Sequence, residues 1–125
     1  PAFALQKAIS TTIQAHHRDY WTGTVYTTNR RVWEHDADFK KYLTKIRAMA
    51  VDMETATIFI TGFANEIPTG ALLLVSDEPM TPEGVKTAAS ERHVDDAHIS
   101  LHLRIGIDSL QQLINKGVAV KHLKF

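Results

Sequence analysis

The run ALLLV at 71–75, closed at once by Ser76 and Asp77, constrains this chain more than any other feature. Five apolar residues without alternation, bounded by the turn residues Pro68, Thr69 and Gly70 upstream, predict a strand buried on both faces. Strands of that kind belong to parallel sheets covered by helices, because the crossover connections place helices on the faces. The expected fold class is therefore a layered α/β architecture. At 125 residues there is material for one domain, and no repeat or internal linker divides it.

The remaining segments fit that layering. Pro1 to about His17 predicts a helix with Phe3, Leu5, Ala8, Ile9 and Ile13 close to one face. Tyr20–Thr28 (YWTGTVYTT) has the aromatic and β-branched composition of a strand. Asn29, Arg30 and Arg31 interrupt it as a loop, and Asp36 is placed to cap a helix carrying Phe39, Tyr42, Leu43 and Ile46. Ala48–Asp52 is a short apolar step. From Met53 to about Glu66 the length favours a helix, with Ala56, Phe59, Ile60 and Phe63 as its buried stripe. A long helix is expected from about Ser90 to Lys116, ended by Gly117 and weakened at Gly106. The tail VAVKHLKF alternates and suits an edge strand or extended arm. Two or three strands are few for a free-standing sheet, which suggests that part of the domain lies elsewhere.

Charge and composition narrow the function classes. Lys+Arg and Asp+Glu are 14 each, so no basic excess exists to neutralise phosphates of nucleic acid or an anionic membrane surface. With no Cys, thiolate metal sites, disulfides and Cys nucleophiles are excluded, and the absence fits a reducing compartment; a cytoplasmic location is expected. No apolar run is long enough for a membrane span, and the first residues show no basic region followed by an apolar one, so no secretory signal is visible in them. That first residue is not Met, which points to processing or to membership of something longer. Neither GxGxxG nor GxSxG occurs, and the stretch at Gly84–Thr87 lacks a true phosphate loop's Gly-Lys pair, so no cofactor is implied. His98 and His102 share a helix face but have no third ligand motif, so no metal is expected.

Two places carry candidate chemistry. In open α/β sheets ligands bind beyond the carboxyl ends of the strands. Asp77 stands there with Ser76, before a Pro-rich loop; burial would raise its pKa and suit a general acid, while an Asx turn is the plainer role. Asp52, Met53 and Glu54 open the next helix upstream. Acidic residues there complement the helix dipole and cap it, and a carboxylate in that position also suits binding to sugar hydroxyls. Around the Arg30-Arg31 loop, Trp21, Tyr26 and Trp33 suit either packing or stacking on a base.

Taken together, VDMETATIF and the later LLLVSDEPM resemble the C-terminal part of the purine nucleoside phosphorylase and nucleosidase family. That family has an acidic-Met-Glu element opening a helix and a Ser-Asp element ending a later strand. TNRRVWE, SDEPMTPEGVKT and the terminal VKHLKF are most similar to its AMP-cleaving members. The resemblance implies a layered α/β/α phosphorylase-type fold, of which this chain is the C-terminal half. It implies hydrolysis of the N-glycosidic bond of AMP to adenine and ribose 5-phosphate. Asp77 matches the acid for purine N7 and Glu54 the ribose ligand; Met53 is the apolar floor under the sugar, and Asp52, where a second acid is common, joins them on the ribose side. Trp33 and Ser76 are the implied base-side residues, with Lys86 or Arg92 as the cation tuning Asp77 and Arg30 or Arg31 near phosphate. It also implies a homo-oligomer, a hexamer, with AMP as the small-molecule partner. The family's N-terminal half, with its phosphate-recognising loop, has no match here. Two alternatives stay open at this level: a phosphorylase using inorganic phosphate, and a non-catalytic nucleotide-binding or oligomerisation fragment.

Overall fold

The computed structural model describes residues 1–81 and 96–117. Helix α1 (Phe3–Ala15) leads to strand β1 (Thr24–Thr27), a short 3₁₀ turn at Trp33–His35, helix α2 (Ala37–Lys45), strand β2 (Ala48–Asp52), helix α3 (Thr55–Ala64) and helix α4 (Asp96–Asn115). Strands β1 and β2 pair in parallel, with Thr27 opposite Asp52. A parallel pair cannot be closed by a hairpin, so the chain crosses over through α2 to make a βαβ unit. The α/β expectation is met.

Each element has a local cause. Asp36 caps α2, accepting from the N–H groups of Asp38 (3.1 Å) and Phe39 (2.9 Å). The helix then buries Phe39 and Leu43. Tyr26 of β1 meets Phe39 and Tyr42 edge-on at 5.4 and 5.9 Å between ring centroids, which fastens the helix to the strand. Helix α1 buries Ala8, Ile9 and Ile13. Ile9 and Ile13 meet Ile105 of α4 in the main apolar cluster, flanked by Leu5, Leu72 and Leu101. Ser109 is buried because its hydroxyl donates to the Ile105 carbonyl at 2.6 Å, so no polar atom is left bare at the contact. The His16 ring and the Asp108 carboxylate, 3.0 Å apart, join the same two helices at another point.

Several expectations are corrected. Ala48–Asp52 is a full strand and the partner of β1, not merely an apolar step. By contrast, 71–75 forms no helix and pairs with no described strand, and Leu73, Leu74 and Val75 are 40%, 39% and 60% exposed. Its hydrophobicity outruns the neighbours available to cover it. For the same reason α3 forms where expected yet leaves Ile60 and Phe63 70% and 75% exposed; its buried positions are Thr55 and Gly62. Phe3 is exposed as well, and the strand expected over Tyr20–Thr28 is confined to four residues. Gly117 ends α4 with φ +57°, as anticipated. The portion of the long helix before Asp96, and the tail 118–125, lie outside the described residues.

The two helix glycines predict opposite outcomes. A Cβ on Gly106 meets nothing within 4 Å among the described residues, so Gly106→Ala should stabilise by up to about 1 kcal/mol through helix propensity. On Gly62 it would meet the Ile67 carbonyl oxygen at 2.9 Å and crowd the Thr69 methyl still more closely, so Gly62→Ala should destabilise despite the same propensity gain. Urea unfolding of both variants checks the pair; a common sign would show that propensity alone governs these positions.

Candidate active site

Parallel pairing sends both strand ends the same way, and the polar residues collect there. Asp52 is the last residue of β2. Its Oδ1 accepts from the Thr27 hydroxyl at 2.7 Å, across the sheet at the end of β1. Its Oδ2 accepts from the Thr55 N–H at 2.8 Å and also from the Thr55 hydroxyl. The Thr27 oxygen in turn accepts from the Ala56 N–H at 3.0 Å. Main chain reinforces the joint, since the Thr28 N–H donates to the Asp52 carbonyl at 2.8 Å. One carboxylate thus ties together two strands and the first turn of α3. Partial burial alone would raise its pKa. The hydrogen bonds from Thr27 and Thr55, with the backbone N–H groups of Thr55 and Glu54, outweigh that and hold it below the ordinary Asp value.

Met53 and Glu54 form the step between β2 and α3. Both are exposed. The Met53 N–H donates to Glu54 Oε2 at 3.2 Å, which curls the Glu54 carboxylate back over the step. Glu54 therefore presents its carboxylate to solvent, whereas the oxygens of Asp52 are engaged by protein donors. The capping role weighed for acidic residues here falls to Asp52, three residues before the Thr55 N–H that it accepts.

The Ser76-Asp77 pair follows the apolar segment 71–75. The Ser76 hydroxyl donates to Asp77 Oδ1 at 2.8 Å. Asp77 is half-buried rather than enclosed. A turn stops the chain just beyond it, where the Thr81 N–H and hydroxyl both donate to the Glu78 carbonyl at 3.0 Å.

A cleft of about 1150 Å³ separates the sheet from segment 71–75. Val25 and Met49 line it from the sheet, Leu72 and Leu74 from the segment, and Ile13 and Leu101 from the helices. Thr55 and Val75 also line it, and these residues directly adjoin the two candidate motifs. His98 and His102 contribute to the lining, but no group of three His, Cys, Asp or Glu among the described residues is placed to hold a metal ion.

The other candidates separate from this region. Trp33 is half-buried in the 3₁₀ turn, its ring edge-on to Phe39 at 6.0 Å, and it is not among the cleft residues. Its place is in an aromatic cluster built on α2. Arg30 is taken up by the same cluster: its guanidinium lies 4.7 Å from the centre of the Phe39 ring and pairs with Asp36 at 3.0 Å. Arg31 is exposed. Lys86 and Arg92 lie outside the described residues. The residues that sequence reading missed are Thr27 and Thr55. The Asp-x-x-Thr spacing of a helix cap was the available signal for Thr55, and nothing in the sequence marked Thr27.

The sequence profile of the phosphorylase superfamily matches residues 1–112. AMP nucleosidase of Escherichia coli K12 is 40% identical over 98 residues, which are 77% of this chain and 20% of that protein. AMP nucleosidase of Escherichia coli O157:H7 gives the same values. The crystal structure of AMP nucleosidase from Bacteroides thetaiotaomicron VPI-5482 is 52% identical; the match covers 93% of this chain and 45% of that one, with a TM-score of 0.71. This chain therefore spans about a fifth of the length of the curated relatives and less than half of the solved one. With the profile running through β1, β2, α3 and most of α4, the chain belongs to the phosphorylase superfamily.

Proposed function

We propose that the protein to which this chain belongs hydrolyses the N-glycosidic bond of AMP, releasing adenine and ribose 5-phosphate. The observation that carries this reading is the 52% identity to a solved AMP nucleosidase, in a match that covers 93% of this chain. The chemistry fits the two carboxylates. Adenine leaves poorly as an anion, so protonation at N7 by Asp77 lets the C1′–N9 bond break. The sugar then gains oxocarbenium character, and Glu54, bonded to the ribose hydroxyls, stabilises it as charge develops. Water adds to C1′ and gives up one proton to solvent, which replaces the proton that Asp77 delivered to N7 and restores the acid. Met53 supplies an apolar surface under the sugar, and Ser76 orients Asp77 through the bond they already share.

In the same reading this chain is the C-terminal part of a nucleoside phosphorylase-like catalytic domain. The apolar segment 71–75, which pairs with no described strand, and the apolar cleft beside it support that placement, because both suit further strands of one sheet. Self-association into a homohexamer and a cytoplasmic site of nucleotide salvage belong to the reading too. The outward stripe of α4 supports association: Ile99, Leu103, Ile107, Leu110 and Ile114 are all exposed, at helical spacing.

Three outcomes test the proposal. The full-length protein should release adenine from AMP in phosphate-free buffer; a strict requirement for phosphate would make it a phosphorylase instead. Asp77→Asn should lower kcat by about 100-fold or more with little change in KM, since the proton matters as the bond breaks. Undiminished turnover would remove Asp77 from the acid role. Glu54→Ala should impair AMP more than 2′-deoxy-AMP in steady-state kinetics, and equal losses on both substrates would sink the hydroxyl contact.

A further inference from the structure

We infer that Asp52 is a positioning residue that sets Glu54 from behind, and that it makes no contact with the sugar itself. This rests on the reading of Glu54 as the ribose ligand. The resemblance assigned both acids of the Asp-Met-Glu element to one sugar site, but the geometry divides them. A carboxylate offers about four lone-pair directions. Three donors from Thr27 and Thr55 already occupy those of Asp52. Glu54 takes one bond, from the Met53 N–H, at an exposed site.

The joint is built to hold an angle. Asp52 is fixed to β1 twice, through the Thr27 hydroxyl on its side chain and the Thr28 N–H on its carbonyl. It is fixed to α3 through Thr55, and the Thr27 oxygen reaches the next N–H of that helix at Ala56. Met53 and Glu54 are the only residues between the two anchored ends. Where the Glu54 backbone leaves the strand is therefore decided by Thr27, Asp52 and Thr55. Misplacement of a contact group by about 1 Å can cost on the order of 100-fold in rate.

Thr27→Val keeps the shape and removes the hydroxyl that both Asp52 and Ala56 use. Asp52→Ala removes the carboxylate. Asp52→Asn is the conservative change, since its oxygen can still accept from Thr55 while its amide donates to Thr27. The experiment is a double-mutant cycle in the full-length enzyme, reading kcat/KM for AMP beside the melting temperature. Asp52→Ala and Thr27→Val should each lose about 10- to 100-fold, with Asp52→Asn recovering most of the loss. In a Glu54→Ala background the same two changes should cost less than threefold, because what they position is gone. Losses that multiply fully in that background would overturn the inference and return Asp52 to a separate role, whether sugar ligand or general support. Wild-type activity in both Asp52→Ala and Thr27→Val would also overturn it. Failure of the Glu54 reading looks different: Glu54→Ala alone would then retain full activity, or lose it equally on AMP and 2′-deoxy-AMP. Should Asp52→Ala not fold, Thr27→Val and Asp52→Asn carry the cycle by themselves.

Discussion

The carboxylate of Asp52 is the joint on which this structure depends. A two-stranded parallel sheet has little stability of its own, and among the described residues each strand here lacks a second neighbour. Here the pair is closed at its carboxyl end by a side chain that both strands share. Thr27 and Asp52 stand opposite each other in the register, so the bond between them needs no distortion of the ladder. The same carboxylate then accepts from the Thr55 N–H at the start of α3, one of the donors that a helix leaves without an internal partner. One ionised group, held in that state by its donors, sets where β1 ends, where β2 ends and how α3 begins.

What was legible in the sequence follows from which interactions are local. The cap at Asp36 and the stop at Gly117 need only neighbouring residues, and both form as read. The other helix ends carried no such mark. α1, α2 and α3 are each followed by a residue at positive φ, and these are His17, Arg47 and Glu66, none of them glycine. After α3 the Ile67 N–H reaches back to the Gly62 carbonyl at 2.8 Å, so the bonded turn supplies what the residue type did not announce. β2 was misread for a comparable reason: its residues are apolar enough for a strand, but a strand is defined by its partner, and that partner lies across a helix in sequence.

The candidate site divides along the same line. Asp77, Ser76, Met53 and Glu54 were visible because each belongs to a short contiguous motif. The division of labour between Asp52 and Glu54 was not, because it is decided by Thr27, whose hydroxyl arrives from another strand. Trp33 and Arg30 show the other side of this, a contact inside the protein that no motif announced. Aromatic and basic residues on one loop suit a ligand, but Phe39 lies within reach and satisfies both, one ring against its edge and one guanidinium over its face.

The two apolar features without cover bear on how the chemistry is housed. Helix α4 packs Leu101, Ile105 and Ser109 inward and carries a second aliphatic stripe on the opposite side. A helix apolar on opposite faces suits the interior of a larger protein better than a surface. Segment 71–75, with the cleft beside it, makes the same demand at the sheet. The demand reaches Asp77, which ends that segment. A proton donor to a purine needs a site from which water is largely excluded, because in bulk water its field is screened and its proton is shared. As it stands, Asp77 is half-buried beside a wall of exposed leucines. In the proposed reading, polypeptide laid over those leucines would also exclude water from Asp77, so that completing the sheet and readying the acid would be one physical step.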